Sequence, residues 1–303
     1  MLHTIYPMAA SIEEALAPYN LQTAMSSLIV GIYGLADKDF DGEAYQQLVT
    51  LFRERWDYSL MNTNSACLYS ALLAVFYENP SANLYRMLEL VAVIRGTGFR
   101  SRLSNMMAFA LLDEKGNTEE LVARALKIYQ GMHEHHSIIT GEDDYLASVY
   151  LSQLEGEVDV LLKAIESNYG LLASKRFAKG NALQSLSHQL MLIDKYHEPG
   201  LIESVDLWHQ GFKHWHLKTN GSQILLYGLL ATLDVDRSRF IEDMVLDVQK
   251  ARKIGSLETT IMILEKAKSG LVPLSTMKKD QIKFIKASLL MMLVSYMFRE
   301  KLV

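Results

Sequence analysis

The residues best suited to chemistry lie close together, between positions 133 and 144. This segment, HEHHSIITGEDD, contains three histidines and four acidic residues in twelve positions. Imidazole and carboxylate groups are common ligands of divalent metal ions and common acids and bases in catalysis. We call residues 133–144 the hinge, and it is the first candidate for a functional site.

Three interpretations of the hinge are open. In the first, Thr140 caps the following helix, and the acids Glu142, Asp143 and Asp144 lie in its first turn, where they complement the positive end of the helix dipole. In the second, His133, His136 and Asp143 are the candidate ligands of a divalent metal ion, which is the one cofactor considered. In the third, Asp143 or Asp144 is a general acid or base with a histidine partner.

A second group of polar residues follows in the string GNALQSLSH, residues 180–188. Asn181, Gln184 and His188 are spaced by three and four residues, so they share one face of a helix. They either line a pocket or inner groove, or satisfy the ends of neighbouring helices. If this helix follows the hinge by one repeat, His188 approaches Asp143 or Asp144.

Another histidine-rich corner, residues 208–216, occupies the same place in the repeat as the hinge. Hairpins stacked in register would place His135 and His136 on the same edge as His214 and His216. The alternative is that the corner histidines lie at helix ends, where an imidazolium suits the negative pole of the dipole.

The elements that position these residues are predicted to be helices in a repeat. Aromatic or histidine-rich corners recur at intervals of about forty residues, and each precedes an apolar helix. No segment alternates with period two for long enough to form a strand. We predict an all-α fold of stacked αα-hairpin repeats, α-solenoid-like with about seven hairpins, in which an open superhelix is favoured over a closed α/α ring.

One connector imitates a calcium-binding loop. Residues 37–43, DKDFDGE, place acids and a glycine as an EF-hand does, but Leu48 stands where the bidentate glutamate belongs. We therefore predict a helix connector that ends in an Asp41 cap. Other helix starts are predicted at Asn117, a capping residue, and at Pro80 and Pro199, which suit the first turn of a helix.

Composition indicates one continuous domain over residues 1–303. Half of the residues are hydrophobic and 21% are charged, and no Pro-, Gly- or Ser-rich linker interrupts the pattern. The net charge of −5 argues against nucleic acid as a partner, because phosphate binding needs a concentrated basic face.

The location is predicted to be cytoplasmic. The first eleven residues lack the basic start and apolar stretch of a secretion signal. The longest apolar run, residues 289–298, is about half a membrane span, so we predict a buried closing helix and no membrane span. The single cysteine, Cys67, lies in an apolar helix pattern, which fits a buried thiol in a reducing compartment.

The hinge and the polar string also carry a resemblance. Residues 128–147, with Gly98 and Phe99 upstream and residues 179–188 downstream, resemble the bacterial domain-of-unknown-function family numbered four thousand and three. The resemblance implies a bacterial cytosolic protein, and no established activity comes with it. Ser137 stands where members tend to have proline, which makes this corner less rigid.

Two classes of function remain open. The preferred one is a protein- or peptide-binding scaffold whose concave polar groove is lined by Asn181, Gln184, His188 and the acidic hinge. The other is a metal-dependent or acid–base enzyme on a closed α/α ring, with its site at the hinge. The scaffold is preferred because it requires no further chemistry.

Overall fold

The computed structural model describes residues 6–55, 62–99, 103–193, 199–215, 217, 221–233, 235–250, 256–268 and 279–299. Every regular element within them is helical, which confirms the predicted all-α class. Two short 3-10 helices cover Ala17–Tyr19 and Gly221–Ile224. The α-helices are α1 (Ala9–Leu16), α2 (Thr23–Leu35), α3 (Gly42–Arg55), α4 (Thr63–Phe76), α5 (Pro80–Gly96), α6 (Ser104–Leu111), α7 (Thr118–His135), α8 (Asp144–Ser152), α9 (Val158–Ser174), α10 (Asn181–Ile193), α11 (Pro199–His214), α12 (Leu225–Leu230), α13 (Arg237–Lys250), α14 (Ser256–Lys268) and α15 (Lys279–Arg299).

Polar caps and prolines start several helices where the sequence predicted them. Asp41 Oδ1 accepts the N–H of Ala44 at 3.0 Å at the start of α3. This bond confirms the predicted Asp41 cap at the end of the connector. Asn117 accepts two N–H groups in the first turn of α7, at 3.1 and 3.3 Å. Helices α5 and α11 begin at Pro80 and Pro199. Each cap satisfies N–H groups that a helix start leaves without partners.

Neighbouring helices in the chain pack against each other, and burial divides them into two layers. The packed pairs are α1–α2, α3–α4, α5–α6, α7–α8, α9–α10, α11–α12 and α13–α14. Helices α4, α6, α8, α10 and α12 are buried over most of their length, whereas α3, α7 and α9 keep a solvent-exposed face. Cys67, in α4, is fully buried, as predicted.

Helix α15 lies within the core. It packs against α8, α10 and α12 of the buried layer. Most of its described side chains between Phe284 and Met297 are buried. The prediction that this helix is buried is therefore confirmed, and its role in closing the stack stays a prediction. None of the described helices combines the length and the apolar character that crossing a bilayer requires.

The first and last helix pairs contact each other, so an open superhelix is not confirmed. Helix α14 packs against α2. Tyr6 donates from its hydroxyl to Glu265 Oε2 at 2.8 Å, and Lys268 Nζ donates to the carbonyl of Gly34 at 3.0 Å. Gly34 is needed at this junction, because a Cβ there would stand 2.3 Å from the Tyr6 ring.

Candidate functional site

Two hydrogen bonds join the hinge to helix α10. Asn181 Nδ2 donates to Asp143 Oδ2 at 2.6 Å. Gln184 Nε2 donates to Thr140 Oγ1 at 2.8 Å, and both of these side chains are buried. The polar face of α10 is thus turned toward the acidic hinge, with its exposed end at Asn181.

A buried carboxylate and histidine lie at the inner end of this contact. His188 Nδ1 is 3.4 Å from Asp144 Oδ1, as the helix order predicted. Asp144 is 1% exposed and His188 is 0% exposed. Asp144 Oδ2 also accepts the Gly141 N–H at 3.0 Å. Neither ring nitrogen of His188 has hydrogen-bond geometry with a described residue, so the pair is an ion-pair contact only when the imidazole is protonated.

Thr140 is not the cap of helix α8, which corrects the first interpretation of the hinge. Helix α8 begins at Asp144, and its N-cap residue Asp143 makes no side-chain cap hydrogen bond. The Thr140 hydroxyl donates to the carbonyl of Met132 at 3.2 Å while accepting from Gln184. The hydroxyl therefore ties the hinge to α7 and α10.

Burial changes the acidity of Asp143. It raises the pKa of this carboxyl above the usual range, and the neighbouring Asp144 carboxylate raises it further. The hydrogen bond from Asn181 acts in the opposite direction. Asp143 therefore holds its proton more tightly than an exposed aspartate does.

The structure distributes the hinge histidines among different partners. His133 stacks on Tyr129 with ring centres 6.3 Å apart, and His135 is exposed. His136 Nε2 lies 2.9 Å from Glu166 Oε2. The described residues contain no group of three or more His, Cys, Asp or Glu side chains placed to hold a metal ion. The metal candidates His133, His136 and Asp143 are therefore not brought together as a ligand set.

The second histidine corner is partly described. His209 packs against Phe177, with ring centres 4.2 Å apart, and burial lowers the pKa of its imidazole. His214 lies at the end of α11 beside Trp215. His216 lies outside the described residues, so the shared histidine edge stays a prediction.

A groove of about 830 Å³ opens between helix α3 and the turn that joins α4 to α5. Its lining includes the aromatic side chains of Tyr33, Tyr45 and Tyr77. Charges of one sign dominate it, since five acidic residues and one lysine line it: Asp39, Asp41, Glu43, Glu54, Glu78 and Lys38. We call this feature the acidic groove.

Three of the five acidic side chains in the groove are unpaired within the described part of the chain. Asp41 caps α3, and Glu43 Oε1 accepts from Gln47 Nε2 at 3.2 Å. The other three are exposed and have neither a hydrogen bond nor an ion pair with a described residue: Asp39, Glu54 and Glu78.

Sequence reasoning missed the acidic groove because Glu78 is distant in the chain from the other acids. The segment around Asp41 forms the predicted connector, but Glu78 lies in the turn between α4 and α5. Only the packing of α3 beside α4 and α5 brings these acids together. The predicted polar groove does not form an open surface at Gln184 and His188, because both side chains are buried.

Comparisons with known proteins give a family and a relative. A model of the family described as "Protein of unknown function (DUF4003)" matches residues 11–293. The "Uncharacterized protein YeaA" of Bacillus subtilis (strain 168) is 22% identical over 183 residues, which cover 58% of this chain and 55% of that protein. The match thus spans about half the length of that relative. No solved structure matches the chain.

Proposed function

The chain belongs to the DUF4003 family, and we propose that it is a binding scaffold that takes a lysine- or arginine-rich segment of a partner protein in the acidic groove. The observation that carries this proposal is a groove of about 830 Å³ lined by five acidic residues and one lysine. Its size falls in the usual range of ligand sites, about 300–1,000 Å³.

The frame of this scaffold is a closed ring of helix pairs over one domain, residues 1–303, in place of the open superhelix. The contact of α14 with α2 supports closure, because an open stack keeps its first and last pairs apart. Helix α15 packs against the inner helices, so the ring has little free inner surface. A partner is therefore expected at a groove between neighbouring pairs.

The chemistry of the acidic groove favours cationic side chains. Each exposed ion pair with Asp39, Glu54 or Glu78 contributes roughly 0.2–1 kcal/mol. Because exposed charges are screened by salt, binding should weaken as the ionic strength rises.

The enzyme alternative at the hinge has one observation in its favour, the contact between His188 and Asp144. An aspartate that orients a histidine is a common arrangement in acid–base catalysis. Both side chains are closed off from solvent, so a substrate would reach them only after the hinge moved. The acidic groove is open without any such movement, and we therefore rank the scaffold above the enzyme.

The proposal is tested by fluorescence anisotropy with a fluorescein-labelled decalysine peptide. We expect saturable binding at low salt that weakens strongly at about 0.5 M salt. The triple variant Asp39→Asn, Glu54→Gln, Glu78→Gln should bind about tenfold more weakly, since it removes three exposed pairs.

A matched control separates the groove from the net negative charge of the chain. The variant Glu119→Gln, Glu134→Gln, Glu157→Gln removes the same number of exposed acids from α7 and the start of α9. It should leave the affinity within about twofold of the wild type. An equal loss in both variants, or no binding by the wild-type protein, would contradict the proposal.

A further inference from the structure

The turn between α4 and α5 forms one wall of the acidic groove. It consists of residues 77–79, and Tyr77 and Glu78 both line the groove. Glu78 is one of the three unpaired acids. The position of this short turn therefore sets the distance between Glu78 and the acids on α3.

The side chain of Tyr77 is held by the C-terminal helix α15, 209 positions further along the chain. Lys286 Nζ lies 2.5 Å from the Tyr77 hydroxyl oxygen and 2.5 Å from Asp113 Oδ2. The ammonium also lies near two further aromatic rings, 4.8 Å from the centre of Phe109 and 5.6 Å from that of Phe76. The Tyr77 and Phe109 rings meet edge to face at 5.8 Å.

Burial makes the Lys286 ammonium depend on its partners. Lys286 is 6% exposed, and burial lowers the pKa of its ammonium while Asp113 acts in the opposite direction. Burial raises the pKa of the Tyr77 hydroxyl, and the nearby Asp113 carboxylate raises it further, so the hydroxyl stays neutral and accepts from Lys286. The Asp113 side chain is 49% exposed, so Lys286 is the buried charge of the contact and is tolerated only while it is paired and hydrogen-bonded.

We propose that Lys286 is a positioning residue of the acidic groove, through which the docking of helix α15 sets the affinity of the groove for a basic peptide. The contact fixes Tyr77 and, through it, the turn that carries Glu78. The C-terminal helix is thereby a control element for a surface to which it contributes no described lining residue. This inference rests on the proposed function, so its test includes a readout that needs no peptide.

The chain offers a matched control on the same helix. Lys283 Nζ pairs with Glu114 Oε1 at 2.8 Å, but their side chains are 33% and 24% exposed. Neither residue lines the groove. Lys283→Met therefore removes a lysine from α15 without touching Tyr77.

The test measures hydrogen exchange in residues 74–84 and decalysine affinity for three variants. Lys286→Met and Tyr77→Phe should each speed exchange in this turn by about tenfold and weaken peptide binding by a similar factor. Lys283→Met should change both by less than about twofold. Tyr77→Phe keeps the aromatic ring and the pair between Lys286 and Asp113, and it removes the hydroxyl with its bonds to Lys286 and Asp113.

The outcomes separate this inference from the proposed function. Faster exchange in the turn of both Lys286→Met and Tyr77→Phe supports the link between Lys286 and the turn. If exchange is faster but the peptide affinity of these variants is unchanged, the proposed control of the groove is overturned. Unchanged exchange in Tyr77→Phe overturns the inference, even if Lys286→Met exchanges faster throughout because its fold has loosened. If the wild type binds no peptide, the proposed function and control of peptide affinity both fail, and exchange then reports only whether Lys286 holds the turn.

Discussion

Asp143 and Asp144 are adjacent in the chain but have different surroundings. Asp144 is 1% exposed, accepts the Gly141 N–H and lies beside His188. Asp143 is partly exposed and accepts a hydrogen bond from Asn181. The two carboxylates should therefore respond differently to the same substitution.

We predict that Asp143→Asn leaves the free energy of unfolding at pH 7 unchanged or raises it. Because burial and Asp144 raise the pKa of Asp143, the folded protein binds this proton more tightly than the unfolded chain, and stability falls as pH rises through the folded-state pKa. Asparagine keeps an oxygen for Asn181 and removes the charge. The gain should shrink as the pH falls and disappear below about pH 3, where the carboxyl is protonated in both states. Urea unfolding between about pH 3 and pH 7 measures the difference.

Asp144→Asn serves as the comparison for this prediction. The substitution weakens the bond from Gly141 and places an amide beside His188 in a sealed site. We expect a loss of about 1–3 kcal/mol at pH 7. Equal losses in the two variants would indicate that both aspartates act on the helix dipole of α8 and that burial of Asp143 is unimportant.

Helices α7 and α9 pack closely at Gly131. A Cβ at this position would stand 2.2 Å from Leu162 Cδ1. Gly170, in α9, is exposed, and a Cβ at this position would have no neighbouring atom within 4 Å. The two glycines therefore differ in packing while both are helical.

We predict opposite effects of alanine at these two glycines. Gly131→Ala should lower the free energy of unfolding by about 1–3 kcal/mol, because Leu162 must move in a packed interface. Gly170→Ala should raise it by roughly 0.5–1 kcal/mol, because glycine loses more backbone entropy in a helix. Denaturant unfolding of both variants measures the pair, and a gain at Gly131 would show that α7 and α9 are not in close contact.

At the level of helices, capping residues and prolines predicted several helix starts correctly, whereas the predicted Thr140 cap in the hinge was wrong. Asp41, Asn117, Pro80 and Pro199 act within their own first turns, so their roles can be inferred from neighbouring letters. Thr140 follows the same rule in the sequence, but its hydroxyl bonds to other helices. The local sequence allows the Thr140 hydroxyl either to cap α8 or to bond to another helix. Its contact with Gln184, which is distant in the chain, decided between the two.

Across the whole molecule, the decisive feature is the contact between the first and last helix pairs. Gly34 permits Tyr6 to pack on α2 and to reach Glu265 on α14. Lys268 adds a second bond across the same junction. One small residue therefore supports the join between parts of the chain that are more than 200 residues apart.

We predict that Gly34→Ala lowers stability by about 1–3 kcal/mol and loosens both sides of this junction. A methyl group at Gly34 displaces the Tyr6 ring and weakens its bond to Glu265. Hydrogen exchange should accelerate in Thr23–Leu35 and in Ser256–Lys268 together. An effect confined to Thr23–Leu35 would contradict the closed ring, and Gly170→Ala is the control that should leave both segments unchanged.

The amino-acid sequence by itself determined the helical class, several helix starts and the buried Cys67. These features depend on apolar periodicity and on spacing within one or two turns, which the letters record directly. Tertiary structure alone decided the contact of α14 with α2, the burial of Gln184 and His188, and the acidic groove that joins Asp39 to Glu78. Each of these is a contact between helices distant in the chain, and the relative orientation of such helices depends on packing that no local pattern contains.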